Sequence, residues 1–287
     1  MYAEVNGKKI FFDVIGEGLD SATPELKKKP TFITFHCASG FDHGYLRPGL
    51  DQLSLIGQVV YIDLPGSGRS ALPDVSKVTF ESNADDIVAL MDYIGIEKAH
   101  IIGHCAGGFV AQHFALRHPE RLDSLILVNT APSFEKIVDE IPNPTIVERA
   151  PQEVVEACVR VYGQGDITEE TVAKCFEFVG PYFMAQKKMT LFSSVFCYTA
   201  INIAMMDRFV NHIYKTYDVR DALRNIKAKT LIIAGSLDWL TPPSGARYIH
   251  SQIKGSQYIE FPNSCHMSFV EEREEFLKAI QKFIDNK

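Results

Sequence analysis

A largely apolar run at residues 99–102 leads directly into Gly103-His104-Cys105-Ala106-Gly107. Few short patterns restrict a fold so tightly. A nucleophile between two such glycines sits on a sharp strand-to-helix turn, in strained backbone, and the glycines let strand and helix pass closely. The turn therefore needs a strand before it and a helix after it. Residues 106–117 read as that helix, whose free N–H groups aim at the turn and favour negative charge there. A cysteine in this position is expected to be partly ionised and reactive.

The same alternation continues on both sides. Residues 31–35 and 59–64 read as strands, and 80–94 as a helix with Ile87, Leu90, Met91 and Ile94 at helical spacing. Further strands follow at 125–129, 230–234 and 258–261, and a helix at 271–284 closes the pattern. Apolar runs without polar alternation, separated by helices, are the mark of parallel strands covered on both faces. The expected class is α/β: a doubly wound, mostly parallel sheet. Between 133 and 219 the strands stop, and helices rich in Tyr162, Phe176, Phe183, Phe192 and Met205 take over. We expect this stretch to be a helical lid over the carboxyl ends of the strands, where such folds bind ligands. The core is then 1–132 with 220–287. The uncharged stretch 189–206 is interrupted by Thr190, Ser193, Ser194, Thr199 and Asn202, so it reads as one buried or pocket-lining helix and not a membrane span.

Composition narrows the partners. With 46% apolar and 23% charged residues, the chain matches an ordinary globular protein. A net charge of −7 with no basic stripe argues against nucleic acid. The first residues lack the features of a signal peptide, and the six cysteines form no Cys-x-x-Cys pair. These features lead us to expect free thiols, a cytoplasmic location and no membrane partner.

A cysteine nucleophile needs a base, and the base an orienting acid. Asp238 follows the strand at 230–234 and His266 the strand at 258–261, so both side chains should emerge at the sheet edge that carries Cys105. Asp123 and Asp221 follow no suitable strand end. Of the other histidines, His36 and His104 read best as structural. Cys37 and Cys265 lie near the same edge, so three thiols are expected around one pocket. A metal site built from Cys37, Cys105, Cys265 and His266 matches no ligand spacing, and neither metal nor organic cofactor is expected. A redox-sensitive pocket is the stronger alternative.

At these residues the chain resembles the α/β-hydrolase superfamily over nearly its whole length, and its lidded small members of the proline iminopeptidase and esterase-like group in particular. The resemblance rests on the elbow, Asp63-Leu64-Pro65-Gly66-Ser67-Gly68-Arg69-Ser70, His118-Pro119-Glu120-Arg121, the Asp238 loop, and the His266 loop with Glu271 beyond. It implies that Cys105 attacks an acyl carbonyl, His266 relays the proton and Asp238 fixes the imidazole tautomer. It also implies an oxyanion hole from the N–H of Ala106 and one from the loop His36-Cys37-Ala38-Ser39-Gly40, with Ala38 favoured over Cys37. Cys37, His104, Trp239, Phe183 and Phe192 are candidate substrate contacts.

Cysteine stands where the family usually has serine, and thioester intermediates form readily at neutral pH. The main expectation is a hydrolase of an ester, thioester, lactone or amide of a small, partly apolar acyl substrate, through an acyl-cysteine. The alternatives are an acyltransferase with the same intermediate and a retired hydrolase fold serving as a ligand receptor. A further alternative is a serine nucleophile replaced by cysteine.

Overall fold

The computed structural model describes residues 1–22, 24–70, 72 and 74–286. Its centre is an eight-stranded sheet: β1 (Tyr2–Val5), β2 (Lys8–Gly16), β3 (Thr31–Phe35), β4 (Gln58–Ile62), β5 (Ala99–His104), β6 (Leu122–Val128), β7 (Thr230–Gly235) and β8 (Gln257–Phe261). Their order across the sheet is β1-β2-β4-β3-β5-β6-β7-β8. The β1–β2 and β2–β4 pairs are antiparallel, and every later pair is parallel. Register places Val60, Ile33, Ile101 and Leu125 in one row, all fully buried. The central strands are thus covered on both faces, which is why they lack polar alternation.

Helices cover the faces. The Phe80–Tyr93 helix starts where Thr79 accepts from the N–H of Ser82 at 3.1 Å, closing a capping box. It packs beside the Ala106–Arg117 helix, and Arg117 clasps Asp85 through two bonds of 3.0 and 2.7 Å. The helix expected at 271–284 runs from Arg273 to Asp285 and is preceded by the short Ser268–Glu271 turn.

Between β6 and β7 lie Ile146–Arg149, Gln152–Cys158, Glu169–Val179, Leu191–Phe196 and Ile203–Arg208, all α-helical and short. The single helix expected over 189–206 is instead two. Backbone pairing forces the break: Asn202 N–H donates to Gly40 O at 2.8 Å, and Asp42 N–H donates to Ala200 O at 3.2 Å. An extended segment here cannot also be helical. Asn202 then restarts the helix by accepting from Met205 N–H at 3.1 Å. Among the described residues, no helix is long and apolar enough to cross a membrane.

Candidate active site

The elbow forms at the carboxyl end of β5. Cys105 has φ +54° and ψ −126°, in the left-handed half of conformational space that side chains avoid. The flanking glycines are required by contact. A Cβ on Gly107 would lie 2.2 Å from Phe35 O, and one on Gly103 would lie 2.7 Å from Ala111 Cβ. The turn is anchored by Cys105 N–H donating to Val128 O at 3.1 Å and by Thr130 Oγ1 donating to Cys105 O at 2.7 Å.

Asp238 and His266 meet as the strand order predicts. His266 Nδ1 lies 2.8 Å from Asp238 Oδ2. The carboxylate is fully buried and accepts from Asn129 Nδ2 at 2.9 Å, Thr241 Oγ1 at 2.7 Å, and the N–H groups of Leu240 and Thr241 at 2.9 and 3.0 Å. Burial alone would raise its pKa, but the His266 charge and these donors hold it below the usual carboxylate value. For His266, burial disfavours protonation, yet the Asp238 charge and hydrogen bond outweigh it and raise the pKa.

The sulfur of Cys105 does not bond to His266. Its sulfur lies 3.4 Å from Cys37 Sγ, and Cys37 Sγ is also 3.0 Å from Ser39 Oγ. The expected partial ionisation of Cys105 is therefore corrected. The Cys37 contact and burial push the Cys105 thiol well above its ordinary value. The same contact pulls Cys37 down to about 6; burial opposes this, and Ser39 together with the N–H groups of Ala106 and Ser39 reinforces it. Of the two sulfurs, Cys37 is the one whose ionisation the surroundings favour.

Cys37 N–H is occupied, donating to Tyr45 Oη at 2.7 Å. It is not free to serve an oxyanion; Ala38, the next residue of the loop, is buried. Tyr45 Oη also lies 2.9 Å from His104 Nδ1, and His104 Nε2 lies 2.9 Å from His266 O. With Tyr45 donating to Nδ1, the ring is neutral and its Nε2–H holds the backbone of His266. Burial, and then the His266 charge, lowers the His104 pKa to about 3, which keeps it neutral. His36 is structural: its Nε2 accepts from Leu64 N–H at 2.8 Å.

A cavity joins these groups. Its lining includes Cys37, Ser39, Cys105, Ala106, His104, Thr241 and His266, with eight aromatic side chains, Phe41, Tyr45, Tyr162, Phe183, Phe196 and Tyr214 among them. No Asp, Glu, Lys or Arg lines it among the described residues. Of the candidate substrate contacts, Cys37, His104 and Phe183 reach the cavity. Trp239 and Phe192 do not: Trp239 stacks on Phe183 with centroids 5.9 Å apart and donates to Tyr182 O at 2.9 Å, while Phe192 packs behind Phe183 and Phe196. Cys265 also departs from expectation. Its sulfur turns away to Leu237 O at 3.2 Å and accepts from Arg149 Nη1 at 2.9 Å, and burial pushes it up to about 12. Among the described residues, no group of three or more His, Cys, Asp and Glu is arranged to hold a metal.

Several site residues escaped the sequence reading. Tyr45 and Ser39 support the sulfur pair, and Asn129 and Thr241 support the acid. Glu271 accepts the N–H groups of Cys265, Met267 and Ala185 at 2.9, 3.1 and 2.6 Å, binding the His266 loop to the helical insertion. Of these, Glu271 was the one that the sequence marked, by its place just beyond His266.

A family model described as the alpha/beta hydrolase fold matches residues 30–273. The chain is 30% identical over 275 residues to a proline iminopeptidase of Saccharolobus solfataricus, covering 88% of this chain and 84% of that one. It is 28% identical over 252 residues to the 3-oxoadipate enol-lactonase 1 of Acinetobacter baylyi, covering 88% of each. Among solved structures, the enol-lactonase from Burkholderia xenovorans superposes with a TM-score of 0.76 at 22% identity, with both chains fully covered.

Proposed function

Because this chain belongs to the α/β-hydrolase fold family and is a hydrolase of that type, we propose that it cleaves a neutral acyl ester, thioester or lactone through an acyl-cysteine on Cys105. The observation that carries this reading is the strained elbow cysteine and the His266–Asp238 pair opening together into an uncharged aromatic cavity. In the reaction, Cys105 Sγ attacks the acyl carbonyl as its proton passes to His266 Nε2, whose other nitrogen Asp238 keeps protonated and oriented. The carbonyl oxygen gains negative charge and is met by the N–H groups of Ala106 and Ala38. Collapse expels the alcohol, thiol or ring oxygen, which takes the proton back from His266. Water, activated by the same imidazole, then releases the acid.

The cavity walls favour this substrate class. A substrate with a free, protonated amino or imino group would bring a charge needing a carboxylate, and the cavity offers none. The aromatic lining suits a flat or apolar acyl group, and Ser39, Thr241 and the oxyanion donors suit one polar end. Residues 133–219 act as the lid, with Phe183 and Phe196 contributing its inner face.

Intact-protein mass spectrometry after exposure to neutral aryl esters, lactones and acyl thioesters tests the reading. The expected result is an acyl adduct mapped to Cys105 that decays in water. Turnover without any adduct on Cys105 overturns the acyl-cysteine. Faster decay with added amine identifies a transferase instead.

A further inference from the structure

The mechanism above uses one sulfur, yet the cavity holds two. Cys37 Sγ and Cys105 Sγ lie 3.4 Å apart at its base, on the loop after β3 and at the end of β5. Strand pairing fixes both supports, since β3 and β5 are neighbours. A disulfide needs the sulfurs at roughly 2.05 Å, so side-chain rotation has little distance to close. Cys37 is partly exposed in the cavity, with Cys105 Sγ at 3.4 Å and Ser39 Oγ at 3.0 Å, and the N–H groups of Ala106 and Ser39 favour its thiolate. Such surroundings make a nucleophilic thiolate with a resolving thiol in contact.

We propose that Cys37 and Cys105 are a reactive dithiol that reduces a hydroperoxide admitted to the cavity, Cys37 attacking and Cys105 resolving. The Cys37 thiolate attacks the outer peroxide oxygen, the O–O bond breaks, and the leaving alkoxide takes a proton from the His266 imidazolium as an alcohol. Cys37 is now a sulfenic acid. Cys105 gives its proton to His266 and attacks the Cys37 sulfur; the S–O bond breaks, and hydroxide leaves as water with that proton. Two thiols and one hydroperoxide thus become a disulfide, an alcohol and water. The product removes the elbow sulfur from acyl chemistry until a dithiol reductant restores it. Apolar walls favour an organic hydroperoxide over hydrogen peroxide.

The test treats the full chain with a small excess of cumene hydroperoxide or, separately, hydrogen peroxide, followed by intact mass and peptide mapping. The expected outcome is a loss of about 2 Da, a Cys37–Cys105 cross-linked peptide, recovery with dithiothreitol and faster reaction with the organic oxidant. In Cys105→Ser, dimedone should label Cys37 as a trapped sulfenic acid. In Cys37→Ser, oxidation should slow by about tenfold. A cross-link between other cysteines, such as Cys158 and Cys175, overturns the proposal. So does sulfinic acid on Cys105 with Cys37 still reduced, or an unlabelled Cys37 in Cys105→Ser. The cross-link is read without an acyl substrate and the acyl adduct without an oxidant, so each idea fails separately.

Discussion

At the level of residues, the chemistry turns on how Cys37 and Cys105 share a proton. The 3.4 Å contact between them raises the pKa of the Cys105 thiol and lowers that of Cys37, which favours a thiolate on the loop after β3. Iodoacetamide labelling followed by peptide mapping should show this. A thiolate is the reactive form, so labelling at Cys37 should rise with pH and reach half its maximum near pH 6. Cys105 should stay unlabelled until well above pH 9. Replacing Cys105 by serine keeps the geometry but supplies a far weaker acid to the same base. Acyl turnover, measured with a neutral aryl ester, should fall by at least about 100-fold; a large gain would mean that the site is built for serine. The imidazole–carboxylate pair has a signature in stability. His266 has a raised folded pKa, so its contribution is complete below its ordinary value and fades as pH rises through the raised one. Asp238 is depressed, so its share is present above the ordinary carboxylate value and is lost as pH falls. Urea denaturation across pH should show stability declining on both sides, and Asp238→Asn should flatten both limbs.

At the level of elements, the strands and the elbow were legible because burial on both faces leaves apolar runs that nothing else explains, as in β5 and β7. The placing of Cys105, Asp238 and His266 at one sheet edge was legible because each follows a strand end. Three features were hidden. The break between Leu191–Phe196 and Ile203–Arg208 depends on pairing with the backbone near Gly40, which local sequence does not encode. An aromatic residue reads the same whether it faces a cavity, as Phe183 does, or backs it, as Trp239 does. The direction of a cysteine side chain is equally silent, so Cys37 and Cys265 looked alike and point to opposite surroundings. Close approach of elements gives a direct prediction. Gly107→Ala forces a methyl against Phe35 O and should cost about 1–3 kcal/mol in chemical denaturation. Glu271→Ala leaves three buried N–H groups without an acceptor, and should cost about 3 kcal/mol while loosening the His266 loop.

For the whole molecule, the candidate site is a junction between the sheet and the helical insertion. His266 N–H donates to Phe183 O at 2.9 Å, and Arg149 joins Leu237 O to Met184 O through bonds of 3.0 and 2.7 Å. The insertion therefore does more than line the cavity, because it also holds the loops that carry His266 and Asp238. An uncharged wall should make the enzyme selective by charge. Between two esters of equal size, the one with an ammonium group on the acyl part should show at least about 100-fold lower kcat/KM, because an unpaired buried charge costs several kcal/mol.

The position of β8 at the far edge of the sheet has a consequence for biosynthesis. A polypeptide leaves the ribosome from its amino end, and domains begin to organise as they emerge. The strands bearing both sulfurs can pair while the carboxyl-terminal third is still being translated. The histidine, its acid and the glutamate that moors its loop emerge afterwards. The nascent chain can thus bring the two sulfurs together before the imidazole–carboxylate pair exists, so both the acyl and the peroxide chemistry proposed for the site wait for the last strands.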